Sequence, residues 1–102
     1  MRLPYSLLRE IQLKNYVPEA IDYGLKEVEF EQFIKSIENK GFLERVLRVG
    51  DQYWYSIKNA RLTKSGLALL EEYKHYEIEY PERDQLKDWV KLDRYQERSH
   101  DE

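Results

Sequence analysis

The sequence predicts one α+β domain in which three helices precede a β-hairpin and further helices follow it. Three observations support this class. Apolar side chains recur at helical spacing in residues 4–14 and 26–40. Two β-branched and aromatic runs, residues 42–49 and 53–57, flank a short turn. The chain has 102 residues, 14% of them aromatic, which is long enough for one modest core and too short for two.

The first helix is predicted over about residues 4–14, because apolar residues repeat there at i, i+3, i+4 and i+7 and proline is tolerated in a first helical turn. These residues are Pro4, Leu7, Leu8 and Ile11. A brief second helix is predicted in "PEAIDYG", ending at Gly24, which can adopt the left-handed conformation that follows many helices.

The third helix is predicted to open at Lys26 and Glu27 and to stop at Gly41. Its apolar side chains again follow the spacing of one helix face. They are Phe30, Phe33, Ile34 and Ile37.

The hairpin is predicted from "FLERVLRV" and "YWYSI", with Gly50 and Asp51 in the turn. A helix capped by Thr63 should follow and run to about Glu77. Beyond Pro81, apolar residues at i, i+3 and i+4 predict a last amphipathic helix. They are Leu86, Trp89 and Val90. We therefore expect a domain over residues 3–80, with a C-terminal helix and frayed tail over residues 81–102.

Three helices followed by a hairpin are the element order of a winged helix-turn-helix, in which the third helix enters the DNA major groove and the hairpin forms the wing. "GLKEVEFEQFIKSIENKGFL", with Ile37, Glu38, Gly41 and Phe42, resembles this region of MarR-like and PadR-like winged helices, and "LTKSGLALLEE" resembles the step after their wing. With residues 7–11 and "LKDWVKL", these stretches most resemble the YjcQ family of small winged-helix proteins from Gram-positive bacteria and their phages. The resemblance spans about residues 3–92 and implies nucleic-acid binding and a phage or prophage origin.

Composition argues against several function classes. The chain has no cysteine, two histidines and four scattered glycines, so we expect no enzyme activity, no cofactor and no metal site. No apolar run approaches the roughly 20 residues that span a membrane. We therefore expect a cytoplasmic protein without a membrane partner.

The candidate DNA contacts lie on the third helix and around the hairpin. Gln, Asn, Lys and Ser can bond base edges, and the outward face of the helix offers Gln32, Lys35, Ser36 and Asn39. Residues 41–70 hold five bases against two acids, a net charge of +3 in a chain of net charge −3. The candidate phosphate contacts there are Arg45, Arg48, Lys58 and Lys64.

Acidic residues keep a second function open. Glu27, Glu29 and Glu31 occupy the first turns of the third helix, where they would repel phosphate or simply complement the helix dipole. The chain is thus expected to be a DNA-binding transcription regulator that binds double-stranded DNA. The alternative is a protein–protein interaction module whose acidic third helix faces a basic partner.

The helix after the hairpin carries an aromatic stripe, formed by Leu69, Tyr73, Tyr76 and Tyr80. Either the chain's own tail covers this stripe through Trp89, or a second subunit does, in a homodimer formed through the C-terminal helices. Tyrosine and tryptophan serve both kinds of interface, so the sequence leaves both alternatives open.

Overall fold

The computed structural model describes residues 1–50 and 54–93 and has an α+β architecture. Its α-helices are α1 (Arg2–Leu13), α2 (Glu27–Asn39), α3 (Lys64–Glu72) and α4 (Leu86–Val90). Its strands are β1 (Leu43–Glu44), β2 (Leu47–Arg48), β3 (Tyr55–Ser56) and β4 (Arg61–Leu62). Short 3-10 turns occupy Ala20–Tyr23, Lys74–Ile78 and Arg83–Gln85.

Helices α1 and α2 confirm the first and third predicted helices to within a few residues. The N–H of Lys26 donates to Glu29 Oε1 at 2.8 Å at the start of α2, and Gly41 follows its end with a φ of 81°. The second predicted helix is instead the 3-10 turn Ala20–Tyr23, closed by the left-handed Gly24. A segment this short completes only one turn between its two caps.

The hairpin is interrupted, whereas the sequence predicts two continuous strands. Antiparallel β1 and β4 pair Leu43 with Leu62, and antiparallel β2 and β3 pair Leu47 with Ser56. Arg45 lies between β1 and β2 with a φ of 64°, a left-handed conformation that breaks the regular strand. Strand β4 was not predicted, and the predicted turn residue Asp51 lies outside the described residues.

The hydrophobic core draws on both ends of the described chain. Its fully buried apolar side chains come from α1, α2 and α4, namely Leu7, Leu8, Ile34, Ile37 and Leu86. Trp89 of α4 is buried in the same cluster. The helix after the hairpin therefore does not close the core alone, because α4 folds back against the 3-10 turn Ala20–Tyr23.

Helix α3 ends at Glu72, five residues before the predicted end near Glu77. Tyr73 leaves the helical conformation, and the 3-10 turn Lys74–Ile78 continues the chain. The rings of Tyr73 and Tyr76 then stack with centroids 5.7 Å apart. The early end of α3 thus coincides with packing between these rings. Local helix propensity does not account for such packing.

The contact between Arg9 and Glu77 predicts a loss of stability in acid. Arg9 Nη2 donates to Glu77 Oε2 at 3.1 Å and the Tyr5 hydroxyl donates to Glu77 Oε1 at 2.7 Å. The hydrogen bond from Arg9 holds the pKa of Glu77 below its usual 4.5. A carboxyl with a lowered folded-state pKa stabilises the fold above its unfolded-state pKa, and this contribution disappears as the pH falls through the folded value.

We therefore expect the melting temperature to fall in acid below pH 4.5. We expect the melting temperature of the Glu77→Gln variant to fall less steeply with decreasing pH than that of the unchanged chain. Thermal unfolding followed by circular dichroism from about pH 7 to about pH 3 measures both slopes. Glu72→Gln is the control, because Glu72 is exposed and has no ion pair among the described residues. Equal slopes in all three proteins would contradict the assignment.

Candidate recognition surface

The outward face of α2 presents the predicted base contacts as a nearly neutral surface. Gln32, Lys35 and Asn39 are exposed and Ser36 is half-buried. Lys35 Nζ lies 3.3 Å from Glu31 Oε1, one helical turn away. The structure thus brings the four polar side chains together on α2, with the one cation among them beside a carboxylate.

Arg48 on β2 is held by α2. Its guanidinium donates to both carboxylate oxygens of Glu38, with Nη1 at 3.1 Å from Oε2. This hydrogen-bonded contact with Glu38 raises the pKa of Arg48 above its ordinary value. Fork-shaped pairs of this kind fix geometry as well as charge, so Arg48 would have to leave Glu38 to reach a phosphate.

The other three predicted phosphate contacts keep exposed charges. Arg45 lies between β1 and β2, Lys58 lies between β3 and β4, and Lys64 begins α3. Within the described part of the chain, none of the three forms an ion pair. These three cations lie in three separate segments and are one fewer than the four phosphate contacts that the sequence predicted for this surface.

The apolar side chains on one face of the hairpin were not predicted. Leu47, Val49 and Trp54 are 53%, 46% and 53% exposed. Val49 accompanies Leu47 at a spacing of two residues, and its N–H donates to the carbonyl of Trp54 at 3.3 Å. Since i, i+2 neighbours and directly paired residues share a face, these three side chains form one surface, here called the apolar hairpin face.

Arg48 and Tyr55 pair directly on the opposite face of the hairpin, which lies toward α2. Burial, followed by the charges of Glu27 and Glu31, raises the pKa of Tyr55. Alternation in "YWYSI" could have indicated the exposure of Trp54, because neighbouring aromatic residues in a strand lie on opposite faces.

A cleft of about 360 Å³, here called the helix–hairpin cleft, separates the start of α2 from β3. Trp54 and the half-exposed Val17 contribute apolar surface to its rim, and Glu27 contributes a carboxylate. Within residues 1–50 and 54–93, Glu27 has no ion pair. The cleft is therefore lined by Trp54 and by a carboxylate that pairs with no described cation.

The aromatic stripe is covered by the chain itself. Leu69, Tyr76 and Trp89 are buried, and Tyr73 and Tyr80 are half-buried. The Trp89 ring lies edge-on to Tyr76 and Tyr80, with centroid distances of 5.5 and 5.3 Å. A homodimer through these five side chains stays a prediction, and it would require α4 to move away from them.

Beneath the stripe lies a chain of hydroxyl groups that the sequence analysis missed. Tyr80 donates to Glu10 Oε2 at 2.5 Å, so its oxygen accepts from Ser6 Oγ at 2.8 Å, and Ser6 accepts from Tyr23 at 2.9 Å. Burial raises the pKa of both tyrosines. Glu10 follows Leu7 by three residues and Ile11 is its neighbour, so its place on the buried face of α1 was visible in the sequence.

Two structural features typical of other function classes are absent from residues 1–50 and 54–93. None of the helices described there is long and apolar enough to cross a membrane. No group of three or more histidine, cysteine, aspartate or glutamate side chains in those same residues is arranged to hold a metal ion.

Comparisons of the chain with protein-family models, with curated proteins and with solved structures found no match. The resemblance to the YjcQ family stays a prediction from the sequence patterns.

Proposed function

We propose that this chain is a non-enzymatic winged-helix module that binds a basic, apolar segment of a partner protein through its hairpin and α2. The order α1, 3-10 turn, α2, hairpin supports the winged-helix assignment, with the hairpin as the wing. The observation that carries the functional proposal is the apolar hairpin face of Leu47, Val49 and Trp54.

Apolar side chains on a wing favour a protein partner over a phosphate backbone. Fully burying a large apolar side chain contributes about 1.5–3 kcal/mol, and the three residues of the apolar hairpin face are each about half exposed. A phosphate backbone offers no apolar surface that would exclude water from these three side chains. Tryptophan is moreover enriched among the residues that dominate protein interfaces.

The charge around the helix–hairpin cleft favours a basic segment. Glu27 lines the same cleft as Trp54 and has no ion pair among the described residues, whereas the cations Lys35 and Arg48 lie against the chain's own glutamates. Such an edge repels phosphate and attracts lysine or arginine. A segment with a basic residue next to large apolar ones complements both features.

Selection from a displayed library of random peptides tests this proposal. We expect enriched peptides to combine lysine or arginine with large apolar residues. In a calorimetric titration, Trp54→Ala or Glu27→Lys should lower the affinity for a selected peptide about tenfold or more. Glu72→Lys is the matched control, because it makes the same charge change on exposed α3. Equal affinity for all four proteins would contradict the proposal.

Binding of double-stranded DNA is the second candidate. It is favoured by the exposed amides of Gln32 and Asn39 on α2 and by the free charges of Arg45, Lys58 and Lys64. Fluorescence anisotropy of a labelled random duplex at two salt concentrations tests it. Micromolar binding that weakens steeply with salt, and weakens further in the double variant Arg45→Ala, Lys58→Ala, would support a regulator of transcription. No binding at low salt would exclude this candidate.

A further inference from the structure

The helix–hairpin cleft is lined by aromatic and acidic side chains. Trp54 and Tyr55 of the hairpin line it together with Glu27, the first residue of α2. Among the described residues that line the cleft, none is a lysine or an arginine. Its volume of about 360 Å³ far exceeds the roughly 30 Å³ that one water molecule occupies and is small among ligand sites of roughly 300–1,000 Å³. The cleft therefore has room for one long side chain, and its described lining supplies no cation.

The negative charge of Glu27 acts on the aromatic side of this cleft. Burial is the main cause that raises the pKa of Tyr55, and the charge of Glu27 is the next cause. The carboxylate is therefore close enough to Tyr55 to disfavour its ionisation. Glu19 also lines the cleft, but its Oε2 lies 3.4 Å from Arg83 Nη2. Glu27 forms no ion pair within residues 1–50 and 54–93, so it is the carboxylate that remains for a bound cation.

Two of the chain's own arginines show which cation suits a lining of this kind. Arg9 Cζ lies 3.9 Å from the centre of the Tyr80 ring, and Arg9 Nη2 donates to Glu77 Oε2 at 3.1 Å. Arg83 is placed in the same way, over the Tyr16 ring and beside a carboxylate. In both places a planar guanidinium contacts a ring and a carboxylate at once. The helix–hairpin cleft offers a carboxylate and aromatic rings to a cation that the described chain does not provide.

We propose that the helix–hairpin cleft takes one arginine side chain of a bound protein segment. Its guanidinium pairs with Glu27 and stacks on the aromatic lining to which Trp54, 53% exposed, contributes. Arginine suits this site better than lysine, because a planar guanidinium stacks on a ring and is more weakly hydrated than an ammonium. The inference rests on the proposed function for the source of the arginine, and it narrows the basic residue of the partner to one type.

The test is an NMR titration of the ¹⁵N-labelled full chain with three capped amino acids at constant pH and ionic strength. Nα-acetyl-L-arginine amide carries the guanidinium, the lysine compound carries an ammonium, and the citrulline compound has nearly the shape of arginine without its charge. Trp54 and Trp89 are the two tryptophans of the chain, so their indole N–H signals report on the cleft and on the buried core.

We expect the arginine compound to shift the Trp54 signal saturably and to leave the Trp89 signal unchanged. The lysine compound should bind about threefold or more weaker, because it pairs with Glu27 but stacks poorly. The citrulline compound should bind about tenfold weaker, because it lacks the charge that pairs with the carboxylate.

Two variants assign the contacts. Glu27→Gln keeps the side-chain size and should lower the affinity for the arginine compound about fivefold or more. Glu72→Gln is the matched control, because it makes the same change on exposed α3 and should leave this affinity unchanged. Trp54→Leu keeps a large apolar side chain without the ring and should lower the affinity about threefold, measured on the backbone amide of Ser56.

No shift of the Trp54 signal at about 50 mM of the arginine compound would overturn the proposal. So would equal affinities for the three compounds, or equal affinities of Glu27→Gln and Glu72→Gln for the arginine compound. The capped amino acids require no selected peptide, so the two proposals can fail separately. Selected peptides that bind while the arginine compound does not would overturn the arginine site alone. Binding of the arginine compound without any enriched peptide would support the arginine site and contradict the partner-protein proposal.

Discussion

Replacing Leu86 by alanine should lower the free energy of unfolding by about 2–5 kcal/mol. Leu86 is fully buried, and its helix α4 packs on the 3-10 turn Ala20–Tyr23. The lost methyl groups leave a cavity that these two short elements can close only in part. Urea unfolding of the full chain, followed by circular dichroism, measures the change as a lower midpoint at an unchanged slope.

Lys91→Ala is the matched control, since Lys91 is exposed at the end of the same helix and its loss should change the stability by less than about 0.5 kcal/mol. A Leu86→Ala variant as stable as this control would show that α4 adds nothing to the core. A chain ending at Tyr80 would lose Trp89 as well, so we expect it to be still less stable than Leu86→Ala.

The helices that could be predicted are those whose apolar spacing and end signals agree. In α2, Phe30, Ile34 and Ile37 share one buried face, and Gly41 ends the helix with a positive φ that favours glycine. Local sequence and tertiary packing call for the same structure there. The apolar repeat of Leu7, Leu8 and Ile11 located α1 in the same way.

The parts that could not be predicted depend on contacts between distant residues. Tyr73 leaves the helix where its ring stacks on Tyr76, and Trp89, thirteen residues after Tyr76, completes the aromatic cluster. The left-handed conformation of Arg45 could not be predicted from a glycine, because none stands at that position. Single-sequence patterns carry no signal for either feature, because local preference is overridden by packing.

The candidate site shows the same division. Helical spacing correctly grouped Gln32, Lys35 and Asn39 on the exposed face of α2. It could not show that Arg48 would bind Glu38, because that pair joins a helix to a strand. A net charge counted along the chain therefore overestimates the positive charge that is available to a partner. Because less positive charge is available to bind phosphates, a protein partner is favoured over DNA.

Replacing Gly66 by alanine should destabilise the fold by about 1–3 kcal/mol, although alanine in a helix ordinarily stabilises by about 1 kcal/mol relative to glycine. A Cβ at position 66 would lie 2.2 Å from the carbonyl oxygen of Phe42. That carbonyl accepts from the N–H of Thr63 at 3.1 Å, and Thr63 Oγ1 accepts from the N–H of Gly66 at 3.1 Å. The clash thus falls on backbone that the helix cap holds in place.

Thermal and urea unfolding of Gly66→Ala measure this effect, with Ser65→Ala as the control on the preceding, exposed position of α3. The control should be neutral or slightly stabilising, because it gains helix propensity without meeting other atoms. The sign of the difference in stability between the two variants shows whether a Cβ at position 66 clashes with its neighbours. If Gly66→Ala were as stable as the control, the close approach of α3 to the segment between α2 and β1 would be wrong. If it is less stable, glycine is required there by packing between helix and hairpin and not by a turn.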